Sequence, residues 1–580
     1  MTPPVSDRDA ELLAEQDYLD GAHHALSDLR ARAELLLEDV RSAGNPDLDY
    51  QAALVHRVAV LSESPRPLLF GRIDEEADDR SWHIGRRHVE DRCGDPVVVD
   101  WRAPVSMPFY RARADDAYGL KRRRQVMVDR RKVMAVADDL FAGADADLTG
   151  TRLRGGDALL AELEGARTGE MLDIVATIQA EQDEIIRAPL DRLLAVQGGP
   201  GTGKTAVGLH RAAFLLYNHP SLSRAGVLVI GPSRAFLRYI SQVLPSLGEE
   251  AVIQTTMADI VPRARTVRED SPEVGRLKGD PRMAGVLAAG LRLRRRHVET
   301  DVTIRARFAT CVVPADDLNG LADSIAGTPV PYKAGRAALR SRVVSLVRQR
   351  LRASGRFEAN EPWLEGEVSA GEPFRSLLDR LWPSVSPAAL VRELLGSEDR
   401  LAAAAAGLLS ASECQLLLGR NGKRASGWTR DDLPLLDEAD ALINGRSRSY
   451  GHIVVDEAQD LSPMQFRMVA RRAPTGSLTV LGDLAQATGA WTYDSWDEIF
   501  RHLPSTAGVR QDELTLGYRA PGQVLDFASR LLPLAAPTVT PTRSIRLGRE
   551  GPRVMRVEPD LVFTESLGEA GRLAGEELLV

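Results

Sequence analysis

The segment LLAVQGGPGTGKTAVGLHRAAFLL, Leu193 to Leu216, sets a short apolar run, a knot of glycines and an amphipathic helical pattern end to end. A buried strand that turns through glycines directly into a helix belongs to few folds; it is one βα unit of a parallel α/β sheet. The spacing G-x-x-x-x-G-K-[ST] falls on Gly198, Gly203, Lys204 and Thr205. Glycines at 198, 199, 201 and 203, with Pro200 and Thr202 between them, admit backbone conformations closed to other residues. Successive N–H groups can then converge on phosphate oxygens. The helix that follows presents its N-terminal dipole to the same anion. Lys204 supplies a point charge for the β/γ-phosphates, and the Thr205 hydroxyl is a ligand for Mg2+. ATP and Mg2+ are therefore the expected cofactors, with residues 198–205 as the binding loop.

Such a site needs carboxylates for metal and water. IVVDEAQD supplies them: Ile453 to Val455 reads as a buried strand, with Asp456 at its end as the Mg2+ holder and Glu457 as candidate general base. In LTVLGDLAQAT a strand over Leu478–Leu481 leads to Gln486, placed to report on the γ-phosphate. LTLGYRAPGQV then brings Tyr518 and Arg519. A lone arginine is more often a surface ion pair; one that reaches the γ-phosphate from a second domain acts as a trigger for hydrolysis.

At 580 residues the chain exceeds a single core, and about three to five domains are expected. Its 44% apolar and 27% charged content is that of soluble globular protein. The uncharged run near Leu401–Leu409 is too short to cross a bilayer. The polar N-terminus lacks a signal-peptide pattern, and Cys93, Cys311 and Cys414 are isolated, as expected of a cytoplasmic protein without disulfides or structural zinc. A net charge of −8 argues against a broad basic face for free nucleic acid and leaves a local basic groove open.

Texture changes along the chain mark its organisation. Leu12, Leu19, Leu26, Ala33 and Val40 recur every seven residues, with Ala22, Leu29 and Leu36 three places on. This predicts a long coiled-coil helix that returns over YQAALVHRVAVL as an antiparallel hairpin spanning 1–64. Residues 1–40 hold three Arg against ten Asp or Glu, so the hairpin is acidic; it either packs along its own protein or projects as a probe. Val-, Trp- and Tyr-rich stretches predict a small β-rich module over 65–150. The basic cluster of that module, Lys121–Arg124 with Arg130, Arg131 and Lys132, is either a solvated strand edge or a contact for phosphate or an acidic surface. Strand–helix alternation over 151–260 gives the first part of a motor domain. A mostly helical insertion follows over 261–449, and the sheet resumes over 450–510.

Taken in order, GGPGTGKT, VVDEAQD, LGDLAQAT and LTLGYRAPGQV resemble the UvrD/Rep-like branch of superfamily 1 helicases. Upstream, AEQDEIIRAP resembles the Q motif of that branch, which implies that Gln182 reads the adenine edge. The resemblance further implies that Tyr518 packs on the base, that Arg519 is an arginine finger, and that Gln486 couples nucleotide state to the nucleic-acid groove. FGRID, DWRAPVSMPFY, IVATIQAEQDEIIRAPLDRLLAVQGGPGTGKTAVGLHRAAFLLY and FLRYISQVLPSLGE are similar to the HelD-like family. Members of that family are bacterial ATPases that bind RNA polymerase, clear nucleic acid from it and recycle it. The resemblance implies a hairpin for the secondary channel and an insertion for the primary channel. The fold class implied is α/β: a RecA-like P-loop motor domain with a helical insertion, preceded by hairpin and β-rich module, and a partial second RecA-like domain over 511–580.

The sequence departs from the wider helicase pattern in three places. Segments of the type TxHxxKGLEFD and VxxTRA are not found between Ala520 and Val580, which reads as a C-terminally truncated chain. IGPSRAF replaces the strand-contacting TFTNKAA. Trp491 keeps the spacing of a base-stacking tryptophan from Gln486, as a candidate nucleic-acid contact or as core, while Gly489 stands at the usual tyrosine. The expected function is an ATP-dependent motor that clears nucleic acid from core RNA polymerase, with DNA or RNA as further partners, no membrane, and a monomeric state. The alternatives are a conventional 3′–5′ DNA helicase or translocase, and an ATP-binding polymerase-interaction protein without motor activity.

Overall fold

Heptad spacing at the N-terminus produces one long helix in the computed structural model, α1 (Asp7–Ser42), followed by α2 (Leu48–Val60), which packs against it. The structure describes residues 7–42, 47–62, 66–141, 175–241, 243–246, 252–261, 266–306, 309–353, 366, 368, 371–418, 427–445, 448–504, 508–518, 520–546, 558 and 566. By its contacts the chain divides into two units, Met1–Gly198 with Lys204–Leu514, and Gly199–Gly203 with Thr515–Val580.

The buried positions of α1 are Glu15, Leu19, Ala22, Leu26, Leu29, Ala33 and Leu37. Their spacing follows the 3.6-residue turn of a straight helix rather than the 3.5 of a supercoil. Leu36, expected in the seam, is exposed, and Leu37 takes its place. Of the two expectations for the hairpin, the middle of α1 follows the first and packs along its own protein. Leu19 to Ala33 share one core with Leu69, Val89, Val98, Val126 and Val133 of a sheet. That sheet consists of β1 (Leu69–Glu75), β2 (Ser81–Gly85), β3 (Val89–Glu90), β4 (Pro96–Asp100), β5 (Leu120–Asp129) and β6 (Lys132–Leu140), in the order β3-β4-β2-β1-β5-β6.

The basic run lies on β5 and meets acids within its own unit. Arg122 pairs with Asp74 at 2.6 Å, and Arg123 with Asp139 at 2.9 Å. Arg124 pairs with Asp138 at 2.7 Å and with Glu15 and Glu11 of α1, each at 3.0 Å. Glu15 also holds Arg72 at 3.3 Å and His83 at 3.0 Å, and the Tyr18 ring stacks on His83. The acidic face of α1 and the basic face of β5 thus answer each other.

Helix α3 (Ala180–Ile186) introduces the motor sheet, whose first strands are β7 (Leu193–Gly198), β8 (Val227–Gly231) and β9 (Val252–Thr256); α4 (Lys204–Asn218) follows β7. After β9 the insertion begins. It contains β10 (Thr266–Arg268), α5 (Pro272–Gly279), α6 (Arg282–Arg292), the hairpin β11 (Val302–Ala306) and β12 (Ala309–Val313), α7 (Tyr332–Ala353), α8 (Glu372–Leu381), α9 (Pro387–Leu395), α10 (Glu398–Ala405), β13 (Trp428–Thr429) and α11 (Asp432–Asn444). One apolar core runs from Leu277 through Leu339, Phe374 and Leu401 to Ile443. The two chain ends meet at its root, where β10 pairs parallel with β13. There the buried Lys278 ammonium bonds Asp270 at 2.7 Å and Asp432 at 2.6 Å, and Thr429 donates to Asp270 at 2.6 Å.

The sheet then resumes with β14 (His452–Val455), β15 (Leu478–Gly482) and β16 (Val509–Leu514). All six strands are parallel, in the order β16-β7-β15-β14-β8-β9. β16 runs across the boundary expected at 510/511 and belongs to the first sheet. Parallel strands covered on both faces are apolar throughout, and β7, β8, β14 and β15 are buried at every position. In the second unit β17 (Leu516–Gly517) pairs parallel with β18 (Arg543–Ser544), and the helix Gly522–Ser529 follows β17.

Candidate nucleotide site

Parallel pairing brings the C-terminal ends of β7, β15 and β14 to one edge of the sheet, the edge at which open α/β sheets bind ligands. The register sets Gly482 of β15 beside Gln197 of β7, and Val455 of β14 beside Val480. Lys204 and Thr205 open α4 directly after the loop. The Lys204 ammonium donates to the Gly198 carbonyl at 2.6 Å, and the Thr205 hydroxyl donates to Asp456 Oδ2 at 2.7 Å. Residues 251 apart in sequence therefore touch. Asp456 is 4% exposed, and burial pushes its carboxyl up to about 6, with the charge of Glu457 adding to the rise. A hydroxyl and a carboxylate are the hard oxygen donors that Mg2+ takes. Adjacent oxygens of an octahedron with bonds of about 2.0–2.1 Å lie about 2.9 Å apart, so this pair fits the ion.

Glu457 sits in the left-handed region, at φ 51° and ψ 45°, a conformation that costs a non-glycine residue about 1–3 kcal/mol. Its surroundings hold it there. Its N–H donates to Asp456 Oδ1 at 3.0 Å, and Gln459 Nε2 donates to its carboxylate at 2.8 Å. The other end of the Gln459 amide accepts the Asp483 N–H at 3.0 Å. Asp483 in turn accepts from Gln197 Nε2 at 2.8 Å, and Gln197 Oε1 accepts from Trp496 Nε1 at 3.1 Å. A buried chain of amides thus runs from Glu457 to the strand that feeds the loop. Gln197, Gln459 and Asp483 were not among the expected site residues. Their signal was present: a glutamine closing an otherwise apolar strand, and a glutamine two places after the paired acids.

Gln182 is buried at the third position of α3, where its side chain accepts the Gln179 N–H at 3.1 Å as half of a capping box. The neighbouring Asp183 pairs with Arg111 at 2.5 Å and Arg187 at 2.7 Å. Gln486 ends a short turn after β15 and is exposed; the glutamine that touches Glu457 is Gln459. Gly489 and Thr488 donate their N–H groups to Asp460 at 3.1 and 2.7 Å. A Cβ on Gly489 would lie 3.1 Å from the Asp460 carbonyl, so a side chain at this turn would need the neighbouring backbone to give. Trp491 is half-buried and packed on the insertion. Its Nε1 is buried without a hydrogen-bond partner, against Gly279 of α5, and the Arg276 guanidinium lies 5.5 Å from the ring centroid. Of the two roles expected for Trp491, the observed contacts are those of packing.

Within the second unit, the loop residues Gly201 and Gly203 adopt φ of 73° and 86°. A Cβ on Gly199 would lie 1.9 Å from the Thr542 hydroxyl, so only glycine fits. Thr202 is buried and donates to the Gly199 carbonyl at 2.9 Å, whereas Pro200 is exposed. Tyr518 is buried, and its N–H donates to the Gly201 carbonyl at 3.0 Å. Arg519 lies outside the described residues.

Within the first unit, Arg211 of α4 is fully buried. It donates to Thr479 Oγ1 at 2.9 Å and to the carbonyls of Ile185, Ile186, Ala188 and Pro189 at 2.6–3.1 Å. Burial draws its guanidinium down to about 9. This cation fastens the turn after α3 to the sheet; in the sequence it is the single arginine of α4, with nothing to mark it.

A strand–loop–helix cradle with a hydroxyl–carboxylate pair defines a P-loop NTPase of the helicase type. Residues 182–490, more than half of the chain, match the family model described as AAA domain. Residues 12–152 match the one described as DNA helicase IV HelD, N-terminal domain. The chain belongs to the HelD-like superfamily 1 helicases. A search of curated proteins finds no match. Among the described residues no helix is long and apolar enough to cross a membrane.

Proposed function

We propose that the chain is an ATP-driven motor that binds bacterial core RNA polymerase and clears nucleic acid from it. The observation that carries the motor half is the Thr205–Asp456 contact with Glu457 held beside it. In this reading the loop amides and the Lys204 ammonium bind the triphosphate, and Gln182 and Tyr518 hold the base. Arg519 reaches the γ-phosphate, and its unit also contains Gly199–Gly203. Mg2+, held by Thr205 and Asp456, neutralises charge on the phosphates when bound. Glu457 accepts the proton of the attacking water at its carboxylate, and Gln459 fixes which way that carboxylate faces. The polymerase half rests on the match of residues 12–152 to the HelD N-terminal domain. The packing of Trp491 weighs against a conventional strand-tracking helicase, which keeps such a ring free to stack on bases.

Lys204→Ala is the direct test. Turnover should fall to background while co-purification with core polymerase survives. ATP hydrolysis at the parent rate would remove the motor, and failure of the unaltered chain to retain polymerase would remove the partner. ATP turnover stimulated strongly by single-stranded DNA, with a steep salt dependence, would favour the conventional helicase instead.

A further inference from the structure

The chain carries a net charge of −8, yet residues 261–449 hold thirty Lys and Arg against twenty-four Asp and Glu. The excess is unevenly spread within the insertion. Helix α7 has one Lys, six Arg and no acid over 22 residues. The turn leaving α6 reads LRLRRRH. Where that turn meets the ends of α8, α9 and α10, a cleft of ≈ 540 Å³ opens.

Four guanidinium groups line this cleft, those of Arg294, Arg296, Arg380 and Arg400. Three carboxylates share the lining, and two of them are already engaged. Glu393 is shared by Arg294 and Arg400, and Asp379 is bound at 2.7 Å by Arg336 of α7. Asp399 is the third. Arg296 and Arg380 have no carboxylate partner among the described residues, and Arg294 Nε is buried without a hydrogen-bond partner. Next to the cleft, Arg295 lies 4.9 Å from the centroid of the Trp382 ring, which ties the basic turn to the end of α8.

We propose that this cleft binds the phosphodiester backbone of a nucleic acid. Guanidinium groups present planar pairs of N–H donors that match phosphate oxygens, and they remain charged at any working pH. The lining offers no exposed aromatic ring on which a base could stack, so recognition is of the backbone and independent of sequence. The site is remote in sequence from every residue of the nucleotide site and does not depend on ATP hydrolysis.

The test uses the full chain and fluorescence anisotropy with short labelled single strands of DNA and RNA over a salt series. Each phosphate contact contributes about 0.7 to the slope of log K against log salt for single strands. The double variant Arg296→Glu, Arg380→Glu should therefore lower that slope by about 1.4 and weaken binding at least about tenfold. Its ATP turnover without nucleic acid should be unchanged. Binding of either polymer supports the site, and the tighter one names the source of the phosphates. The neutral pair Arg296→Gln, Arg380→Gln, with a thermal melt equal to that of the parent, repeats the test if the glutamates disturb folding. Unchanged slope and affinity in the folded neutral pair would overturn the proposal. So would equal binding of polyglutamate, lost in the same variants, because the cleft would then recognise acidic protein.

Discussion

Gln459→Leu separates the placing of Glu457 from the binding of the triphosphate. The substitution keeps the buried volume and removes both polar ends of a side chain that is 2% exposed. One end donates to the Glu457 carboxylate at 2.8 Å, and a hydrogen bond to a charged group contributes about 1.5–3 kcal/mol. If that bond aims the carboxylate at water, its loss raises the barrier by a similar amount, and kcat falls about 10- to 100-fold. The other end accepts the N–H of Asp483, which is 1% exposed. Leaving that donor unmet costs about 1–3 kcal/mol of stability, visible as a lower Tm. Lys204 and Thr205 are untouched, so KM for ATP should stay within about threefold. The assay is steady-state ATP turnover with a parallel melt. Gln459→Glu sharpens it: an oxygen still accepts the Asp483 N–H, but a second buried carboxylate then faces Glu457, so turnover should stay low and the like-charge pair should keep Tm low at neutral pH. A folded Gln459→Leu variant with kcat within about twofold of the parent would refute the positioning role.

Further expectations concern the supports of the site. Arg211→Met strips four carbonyls and Thr479 of their donor and should cost about 3–5 kcal/mol, read as a lower urea midpoint. Gly279→Ala would place a Cβ 2.5 Å from Trp491 Nε1 and 2.6 Å from Ser462 Cβ. Overpacking of this kind costs about 1–3 kcal/mol, and the tryptophan near-UV signal should change with it; an unaltered spectrum and Tm would show that the ring moves freely. Burial alone would raise the Glu15 carboxyl, but hydrogen bonds from His83 and Arg124 outweigh it and hold the group at about 2. Because its folded value lies below its ordinary one of 4.5, Glu15 adds stability that is present above that pH and lost as pH falls toward 2. Glu15→Gln should therefore lower Tm at neutral pH and flatten the acid limb of the melting profile over that window, so that variant and parent converge as pH falls toward 2.

The loop was legible in the sequence because each of its positions is chemically forced. Gly199 and Lys204 have no substitutes that do the same work, Thr205 could be replaced only by another hydroxyl residue, and a strand must precede them. Sheet order was not legible. β7 takes β15 and β16 as its neighbours, from nearly three hundred residues downstream, and only the folded register shows that Gly482 faces Gln197. A heptad announces that one face of α1 is covered but not by what; here the cover is a sheet. A glutamine after a strand, Gln486, invites a sensing role, whereas the contact with Glu457 is made by Gln459, a residue inside the acid motif itself. Arg211 escaped notice because nothing in a helical arginine says that four backbone carbonyls will surround it.

The neck of the insertion has a consequence for what the motor can tolerate. The departing and returning strands, β10 and β13, lie side by side and are riveted by Lys278, Asp270, Asp432 and Thr429. The sheet therefore experiences the inserted domain as a closed stem of fixed width, whatever stands beyond it. Lengthening the distal part costs only about 0.6 kcal/mol per doubling of a flexible segment. The stem is a grafting point: heads of different size or chemistry can be exchanged there while the ATPase keeps its geometry.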